Sequence, residues 1–287
     1  MSYVFLFLSV FLCASSSVFG KFYNRKNACN FNSLSIYNVL LLATVFICWG
    51  VLYAIKFSFN VQVLPYSVLF GLFFFATNFG FIYALKYGPA SLTSLFITLS
   101  LIMTTIWGFL FWNSKITVSV IIGLILVVVS IVLCIIKNGD KEKKTSLKWL
   151  FFVLVGMISN AGCNIVQRTQ QMKFGGQHGE MLMAFATFLS FAIFLAVYLI
   201  KDRKAVKVMQ KHSWCFPVLA GVFNFALNVF IIILATSELS ASLIYPTIGV
   251  GGLVVVILFS LFVFKEKLEW FRWLGILLGI VAIVLLV

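Results

Sequence analysis

Charged residues are scarce in this chain. Asp, Glu, Lys and Arg make up 10% of the 287 residues, against about 25% in an ordinary soluble domain. Apolar residues make up 63%. A water-soluble fold of this length would have too little polar side chain to cover its surface. The composition therefore excludes a cytosolic enzyme, a secreted disulfide scaffold and a disordered chain. It predicts an all-α integral membrane protein.

Acidic side chains are absent from the apolar stretches. All seven Asp and Glu residues fall in predicted loops or at segment ends. Proton relays in a membrane usually need an ionisable side chain there. We therefore expect no cation/proton exchange through an embedded carboxylate.

The residue sets of catalytic and metal sites are also absent. The six cysteines form no CxxC pair, and His178 and His212 stand alone in loops. No catalytic triad, phosphate-binding glycine loop or metal-ligand cluster occurs. The formal net charge of +14 comes from basic residues between apolar segments, which membrane topology explains better than nucleic-acid binding. We expect no enzymatic activity, no cofactor, no metal and no nucleic-acid partner.

Long stretches without charge give the positions of the predicted spans. A transmembrane helix needs about 20 mostly apolar residues, and a Lys or Arg at its centre costs about 2.5–3.5 kcal/mol. We predict ten transmembrane helices, one in each charge-free window: 1–20, 27–55, 57–85, 87–114, 116–136, 149–167, 181–200, 212–237, 239–264 and 273–287.

The ten windows form two sets of five, on either side of the charged linker 138–148. Gly71 and Asn78 recur as Gly221 and Asn228 at an offset of 150, and Lys21 recurs as Arg168 at an offset of 147. An odd number of helices per copy places the copies in opposite orientations. We predict two inverted five-helix repeats, 1–137 and 149–287, around a central cavity.

Two helix junctions carry a family resemblance. The run ALKYGPASL, residues 84–92, resembles the hairpin between the third and fourth helices of the drug/metabolite transporter superfamily, in its ten-helix EamA-like branch. The run FKEKL, residues 264–268, followed by Gly275 and Gly279, is similar to the junction before that family's last helix. The first copy departs from this pattern, with Ser114-Lys115 in place of Glu266-Lys267. The resemblance implies a multi-pass transporter of small organic metabolites.

Inverted repeats suit transport, because rocking one copy against the other opens a midplane site to each side in turn. We expect a small-molecule substrate and membrane lipids as partners. Two alternatives remain open: a lipid-acting membrane protein, which would need clustered acid/base or metal-binding residues, and a scaffold or receptor without transport activity, which would not need the repeat.

Polar and aromatic side chains inside the windows are the candidate substrate-binding residues, since lipid offers polar groups no partner. Asn160, Asn164 and Gln167 lie at i, i+4 and i+7 on one helical face. Amides suit a polar uncharged or zwitterionic ligand. The alternative is that these residues hold helices together, at roughly 0.6 kcal/mol per bond. The full set is Ser16, Asn78, Trp107, Asn160, Asn164, Gln167, Asn224, Asn228 and Tyr245.

Other residues have two interpretations each. Pro246 and Gly249 predict a bending region in the ninth helix, although glycines there also suit close helix packing. Lys21 and Arg168, at the ends of their windows, either attract an anionic group or extend to the lipid headgroups. Trp112, at a segment end, suits the membrane interface.

The basic residues predict the orientation. Of the 21 Lys and Arg residues, 17 fall on the side of the linker and four (Lys56, Lys115, Arg168 and Lys173) on the other. Cytoplasmic loops carry the excess of Lys and Arg. We therefore expect a plasma-membrane protein with the linker in the cytoplasm and both termini outside, opposite to well-known eukaryotic transporters of this fold.

Overall fold

The computed structural model describes residues 1–26, 31–87, 90–114, 116–135, 146–201, 213–264 and 270–286. Over these residues the chain forms ten α-helices, one turn of 3-10 helix at Val61–Val63 and no strand. Each helix falls on one predicted window, in order. The helices are α1 (Ser2–Lys26), α2 (Phe31–Ile55), α3 (Leu64–Tyr87), α4 (Ala90–Phe111), α5 (Val118–Ile135), α6 (Leu147–Lys173), α7 (Gly179–Lys201), α8 (Cys215–Ala235), α9 (Ala241–Phe264) and α10 (Trp270–Leu286).

Most of these helices have the dimensions of membrane spans. Seven of them, α1, α2, α3, α6, α7, α8 and α9, are long and apolar enough to cross a membrane. Over the described residues, α4, α5 and α10 hold shorter apolar stretches: Phe96–Phe111, Val118–Leu133 and Trp273–Leu285. Most of the linker and the run 265–269 lie outside the described residues.

Two helices continue five residues past a charge at which the windows placed their end. The α1 helix runs through Lys21 to Lys26, and α6 runs through Arg168 to Lys173. A long basic side chain can stay in a helix near the membrane edge when its charged group reaches water or a protein partner. The placement of Lys21 and Arg168 at helix ends is therefore wrong, and α6 is longer than predicted.

Both ends of α6 have a local cause. At its start, the Ser146 hydroxyl accepts a hydrogen bond from the Trp149 amide at 3.1 Å, which satisfies one of the free N–H groups of the first turn. After its end, Gly175 and Gly176 have φ of +58° and +81°, a conformation that glycine adopts without strain. These two residues turn the chain back towards α7.

Helix packing runs mainly between the two halves of the chain rather than within them. The most extensive contacts join α3 to α6, α5 to α10 and α1 to α8. Further contacts join α3 to α7, α2 to α8, α1 to α9 and α4 to α6. This pattern of contacts is symmetric between the two halves. If each helix is replaced by its counterpart five helices away, the pair α3–α6 becomes α8–α1, α3–α7 becomes α8–α2, and α1–α9 becomes α6–α4. The pairs α2–α7, α4–α9 and α5–α10 convert into themselves.

Two glycines, at the positions that recur in sequence, allow matching close approaches. A Cβ atom on Gly71 in α3 would lie 2.7 Å from the carbonyl oxygen of Ala186 in α7. A Cβ atom on Gly221 in α8 would lie 3.0 Å from the carbonyl oxygen of Leu41 and 2.8 Å from Cβ of Thr44, both in α2. Because only hydrogen fits there, each helix lies directly on the backbone of its neighbour.

Candidate functional site

The polar side chains of the second half follow one face of α6. Asn160, Asn164 and Gln167 were predicted to share this face, and Arg168 and Gln171 extend it at the next helical positions. Gln167, Arg168 and Gln171 are buried, whereas Asn160 and Asn164 are half-buried. The face therefore runs from the middle of α6 almost to its end, and its last part is enclosed by other helices.

Asn160 and Asn164 lie where α6 meets α4 and α9. The Asn160 side-chain amide donates a hydrogen bond to the Ser100 hydroxyl in α4 at 2.7 Å. The backbone carbonyl of Asn164 accepts one from the Tyr245 hydroxyl in α9 at 3.3 Å. Within the described part of the chain, the Asn164 side chain makes no hydrogen bond to protein, so its donors and acceptor remain available to a ligand or water.

Gln167 joins α6 to α8 through Asn228, which is in turn bonded to Asn224. All three are predicted substrate-binding residues. Its amide nitrogen lies 3.5 Å from the Asn228 side-chain oxygen, and it also contacts the Met183 sulfur at 3.6 Å. Asn228 in turn donates to the Asn224 backbone carbonyl at 2.9 Å and to the Asn224 side-chain oxygen at 3.2 Å. The structure thus brings Gln167, Asn224 and Asn228 into one hydrogen-bonded cluster.

Asn78, the repeat counterpart of Asn228, makes the same local bond. Its side-chain amide donates to the Phe74 carbonyl four residues earlier at 2.8 Å, as Asn228 does to Asn224. Over the described residues Asn78 makes no hydrogen bond to another helix. It is therefore not hydrogen-bonded to the cluster on α6 and α8.

Ser16 forms an interhelical bond that has a counterpart in the other half. The Ser16 hydroxyl in α1 donates to the Ala220 carbonyl in α8 at 3.1 Å. At the positions related by the repeat, the Cys163 thiol in α6 lies 3.9 Å from the Phe70 carbonyl in α3. Equivalent bonds in the two halves favour the interpretation that Ser16 holds helices together rather than binding a ligand.

The aromatic and hinge candidates divide between surface and interior. Trp107 is 37% exposed and stacks on Phe111, one turn later in α4, with ring centroids 4.1 Å apart. Tyr245 is buried, and α9 continues through Pro246 without a break. A Cβ atom on Gly249 would overlap the Leu101 side chain of α4, so this glycine permits close packing of α9 against α4.

Arg168 is the site residue that the sequence left undecided. Only 6% of it is exposed, so its side chain does not extend to the headgroups. One terminal nitrogen donates to the Leu239 carbonyl, just before α9, at 3.1 Å. The guanidinium carbon lies 5.3 Å from the centre of the Trp112 ring, which follows α4, within the range of a cation–π contact. The guanidinium also interacts with the Tyr245 hydroxyl.

Two nitrogens of the Arg168 guanidinium, Nε and Nη1, are buried without a hydrogen-bond partner in the part of the chain that the structure describes. Continuing the i, i+4 pattern from Asn160 through Asn164 would have placed Arg168 on the polar face. The predicted window 149–167 excluded Arg168, because every Arg was taken as the end of a window.

The two halves are bonded at the end of the molecule where α6 finishes. Lys56, after α2, forms an ion pair of 3.1 Å with Glu180 at the start of α7. In the same region the Ser58 hydroxyl and His178 Nδ1 lie 3.0 Å apart. These contacts tie the α2–α3 loop to the α6–α7 loop.

Comparisons with known proteins agree with this architecture. A family model described as the EamA-like transporter family matches residues 1–136 and 147–287. No curated protein matches the chain. Among solved structures, 29 chains match. One of them, described as the crystal structure of a protein, has a TM-score of 0.75 and 12% sequence identity, covering 99% of this chain and 95% of the other. At that identity the likeness concerns the fold alone.

Proposed function

The chain belongs to the EamA-like transporter family, and on that premise we propose that it is a secondary transporter of a small organic solute, working by alternating access. The observation that carries the proposal is the family match over both halves of the chain. With its long apolar helices, the protein is a multi-pass membrane transporter by family, and the proposal adds the mechanism and the site.

Alternating access requires two units that move against each other, and the matched contacts support an inverted pair. Five helices per half reverse the direction of the second unit. The helix pairs exchange under a shift of five, and Gly71 and Gly221 meet equivalent backbone positions. Ser16 and Cys163 likewise reach equivalent carbonyls. All ten helices, including the shorter α5 and α10, would then span the membrane.

We place the solute against the polar face of α6, between α4, α8 and α9. The unpartnered amide of Asn164 and the linked amides of Gln167 and Asn228 provide donors and acceptors there. Asn160 is bonded to Ser100 and Tyr245 to Asn164, so these residues would exchange partners as α6 moves. Asn78, in α3 of the first repeat, would face the path of the solute from the opposite half.

One end of this path would be closed in the described conformation. The Lys56–Glu180 ion pair and the Ser58–His178 contact join loops of opposite halves at the end where α6 finishes. At the same end, a Cβ atom on Gly108 in α4 would lie 2.9 Å from Cβ of Ala241 in α9. Opening on this side requires these contacts to separate.

The proposed orientation follows the positive charges. Residues 138–148 and the other basic loops would lie in the cytoplasm of a plasma membrane, as Lys and Arg counts favour. Lys21 and Arg168 lie inside α1 and α6 rather than in loops. Leaving out this pair changes the counts from 17 against four to 16 against three, so the bias keeps its direction. The Lys56–Glu180 end would then face outwards.

Purified protein in proteoliposomes, assayed with a panel of labelled amino acids, organic acids, sugars and nucleobases, tests the function. We expect uptake or counterflow of at least one solute, and at least tenfold slower flux with Asn164→Leu at equal reconstitution. Ser15→Ala is a matched control, since the Ser15 hydroxyl is exposed and bonds only within its own helix, to Phe11. Absence of flux for every class would contradict the proposal and favour a scaffold or receptor without transport.

A further inference from the structure

One buried positive charge, that of Arg168, has no counter-ion among the residues that the structure describes. Arg168 is enclosed by protein, yet its Nε and Nη1 groups are buried without a hydrogen bond of normal geometry to any described residue. Buried charges in proteins are normally paired, because removing them from water is otherwise very unfavourable. Among the described residues no anionic group meets the guanidinium, and the Tyr245 hydroxyl beside it supplies no charge.

No acidic side chain fills that role among the described residues. Glu238 is the acid closest in sequence to the Leu239 carbonyl that Arg168 contacts. Its own side chain is exposed and forms no ion pair within the described ranges. Glu180, which is on the same side of the molecule, is paired with Lys56.

The contacts that Arg168 does make hold it in place without neutralising it. The Leu239 carbonyl uses one donor of the guanidinium, and the Trp112 ring contacts its face. A neutral glutamine at position 168 would supply an amide donor for the same carbonyl without a buried charge. A role limited to bonding Leu239 thus leaves the charge itself unexplained.

The position of Arg168 connects it to the proposed path. It lies one helical turn beyond Asn164, on the same face of α6, and it interacts with the Tyr245 hydroxyl. An anionic group at Arg168 would thus also be near the unpartnered amide of Asn164. The elements around it, the end of α4 and the start of α9, are those that close this end of the molecule at Gly108 and Ala241.

We propose that Arg168 binds the anionic group of the transported solute, and that this group is a carboxylate. The inference rests on the proposed transport function and adds the chemical class of its substrate. A guanidinium matches a carboxylate in charge and hydrogen-bond geometry. A single negative charge is neutralised by the single positive charge of the site, whereas a phosphate dianion would leave one charge uncompensated in a dry interior.

The first test measures binding without transport. The full-length protein in neutral detergent is heated with matched pairs of probes: lactate and lactamide, benzoate and benzamide, N-acetylglycine and N-acetylglycinamide, with inorganic phosphate and chloride for comparison. At least one carboxylate should raise the apparent unfolding temperature of the wild-type protein, and its amide should not. Phosphate should do no more than chloride. Equal effects of carboxylates and amides, no effect of any carboxylate, or a preference for phosphate would each overturn the proposal.

The variants assign the effect to this side chain. Arg168→Gln should abolish the carboxylate effect, and Arg168→Lys, which keeps the charge without the planar fork, should weaken apparent affinity severalfold. Lys173→Gln is the matched control: Lys173 is also a cation of α6 near an aromatic ring, 5.5 Å from the centre of Tyr66, but it is exposed. It should leave the effect intact. If Arg168→Gln fails to fold, unchanged affinity in Arg168→Lys still contradicts the proposal.

Transport in proteoliposomes separates this inference from the function on which it rests. We expect every solute carried by the wild-type protein to bear a carboxylate, and Arg168→Gln to raise its half-saturating concentration at least tenfold. Transport of uncharged solutes that Arg168→Gln leaves unchanged would overturn the carboxylate assignment and leave the transporter assignment standing. Carboxylate binding that depends on Arg168, without flux of any solute, would retain the anion site and contradict the transport function.

Discussion

Alanine at Gly71 should loosen the contact between α3 and α7, and the size of the effect follows from the geometry. The added Cβ would lie 2.7 Å from the Ala186 carbonyl oxygen, whereas ordinary contact begins at 3.4 Å, so the helices must separate by the difference of 0.7 Å. Overpacking of this kind costs about 1–3 kcal/mol. The carbonyl belongs to helical backbone and cannot rotate away, so the cost should lie near the upper end of that range.

A gain in helix propensity partly offsets the clash. Alanine is favoured over glycine in a helix interior by about 1 kcal/mol, which leaves a net loss of about 2 kcal/mol for Gly71→Ala. Gly221→Ala should cost nearly as much, since its Cβ would lie 2.8 Å from Thr44 and 3.0 Å from the Leu41 carbonyl.

The assay is the apparent unfolding temperature in detergent, compared across three purified variants. At about 2–4 °C per kcal/mol, Gly71→Ala and Gly221→Ala should each unfold roughly 4–8 °C below wild type. Gly50→Ala in α2 is the control, because a Cβ there meets nothing within 4 Å, and it should unfold at or slightly above the wild-type temperature. If Gly71→Ala is as stable as Gly50→Ala, the reasoning from backbone contact is refuted.

Three further predictions concern transport and topology. Asn160→Leu and Asn164→Leu should each impair transport while leaving expression near normal. Full transport activity in both variants would mean that the polar face of α6 only packs against other helices and does not bind the solute. Glu238→Gln should retain transport, since Glu238 is exposed between α8 and α9 and the one carboxylate in a described helix, Glu180, lies in the first turn of α7. A strict requirement for Glu238 in flux assays would contradict the expectation that transport does not depend on a carboxylate. In a cysteine-free background, Ser146→Cys should resist an impermeant thiol reagent in intact cells, whereas Gln62→Cys, exposed in the loop before α3, should react; the reverse pattern would place the linker outside.

Helix positions could be predicted because their signal is local. A long apolar window between charged residues is enough to predict a helix without knowledge of its partners, and each of the ten helices lies on its window. The repeat was visible for the same reason, since Gly71 and Gly221 need only be compared along the chain. The contact partner of each glycine could not be predicted. The Ala186 and Leu41 carbonyls lie in other helices, and no local sequence pattern shows which helices pack against each other.

The site was only partly predictable, and α4 illustrates why. Trp107 lies in α4 and Trp112 directly follows its end. Had the helix continued, five residues would separate their directions by about 140°, so the sequence predicts that only one of them points inwards. The sequence favoured Trp107 as the inner residue, yet Trp112 lies over the Arg168 guanidinium and Trp107 is 37% exposed. Composition does not decide between two tryptophans, since the deciding partner lies in α6.

The predominance of packing between halves has a consequence for biosynthesis. The first five helices have few partners among themselves and find most of them in α6–α10. Leaving the ribosome first, they would enter the bilayer as separate spans and stay loosely associated until the second set is inserted, in line with insertion preceding helix association. The chain would thus assemble like a heterodimer whose two subunits share one polypeptide. Two halves made as separate polypeptides would still carry the complementary surfaces by which they recognise each other.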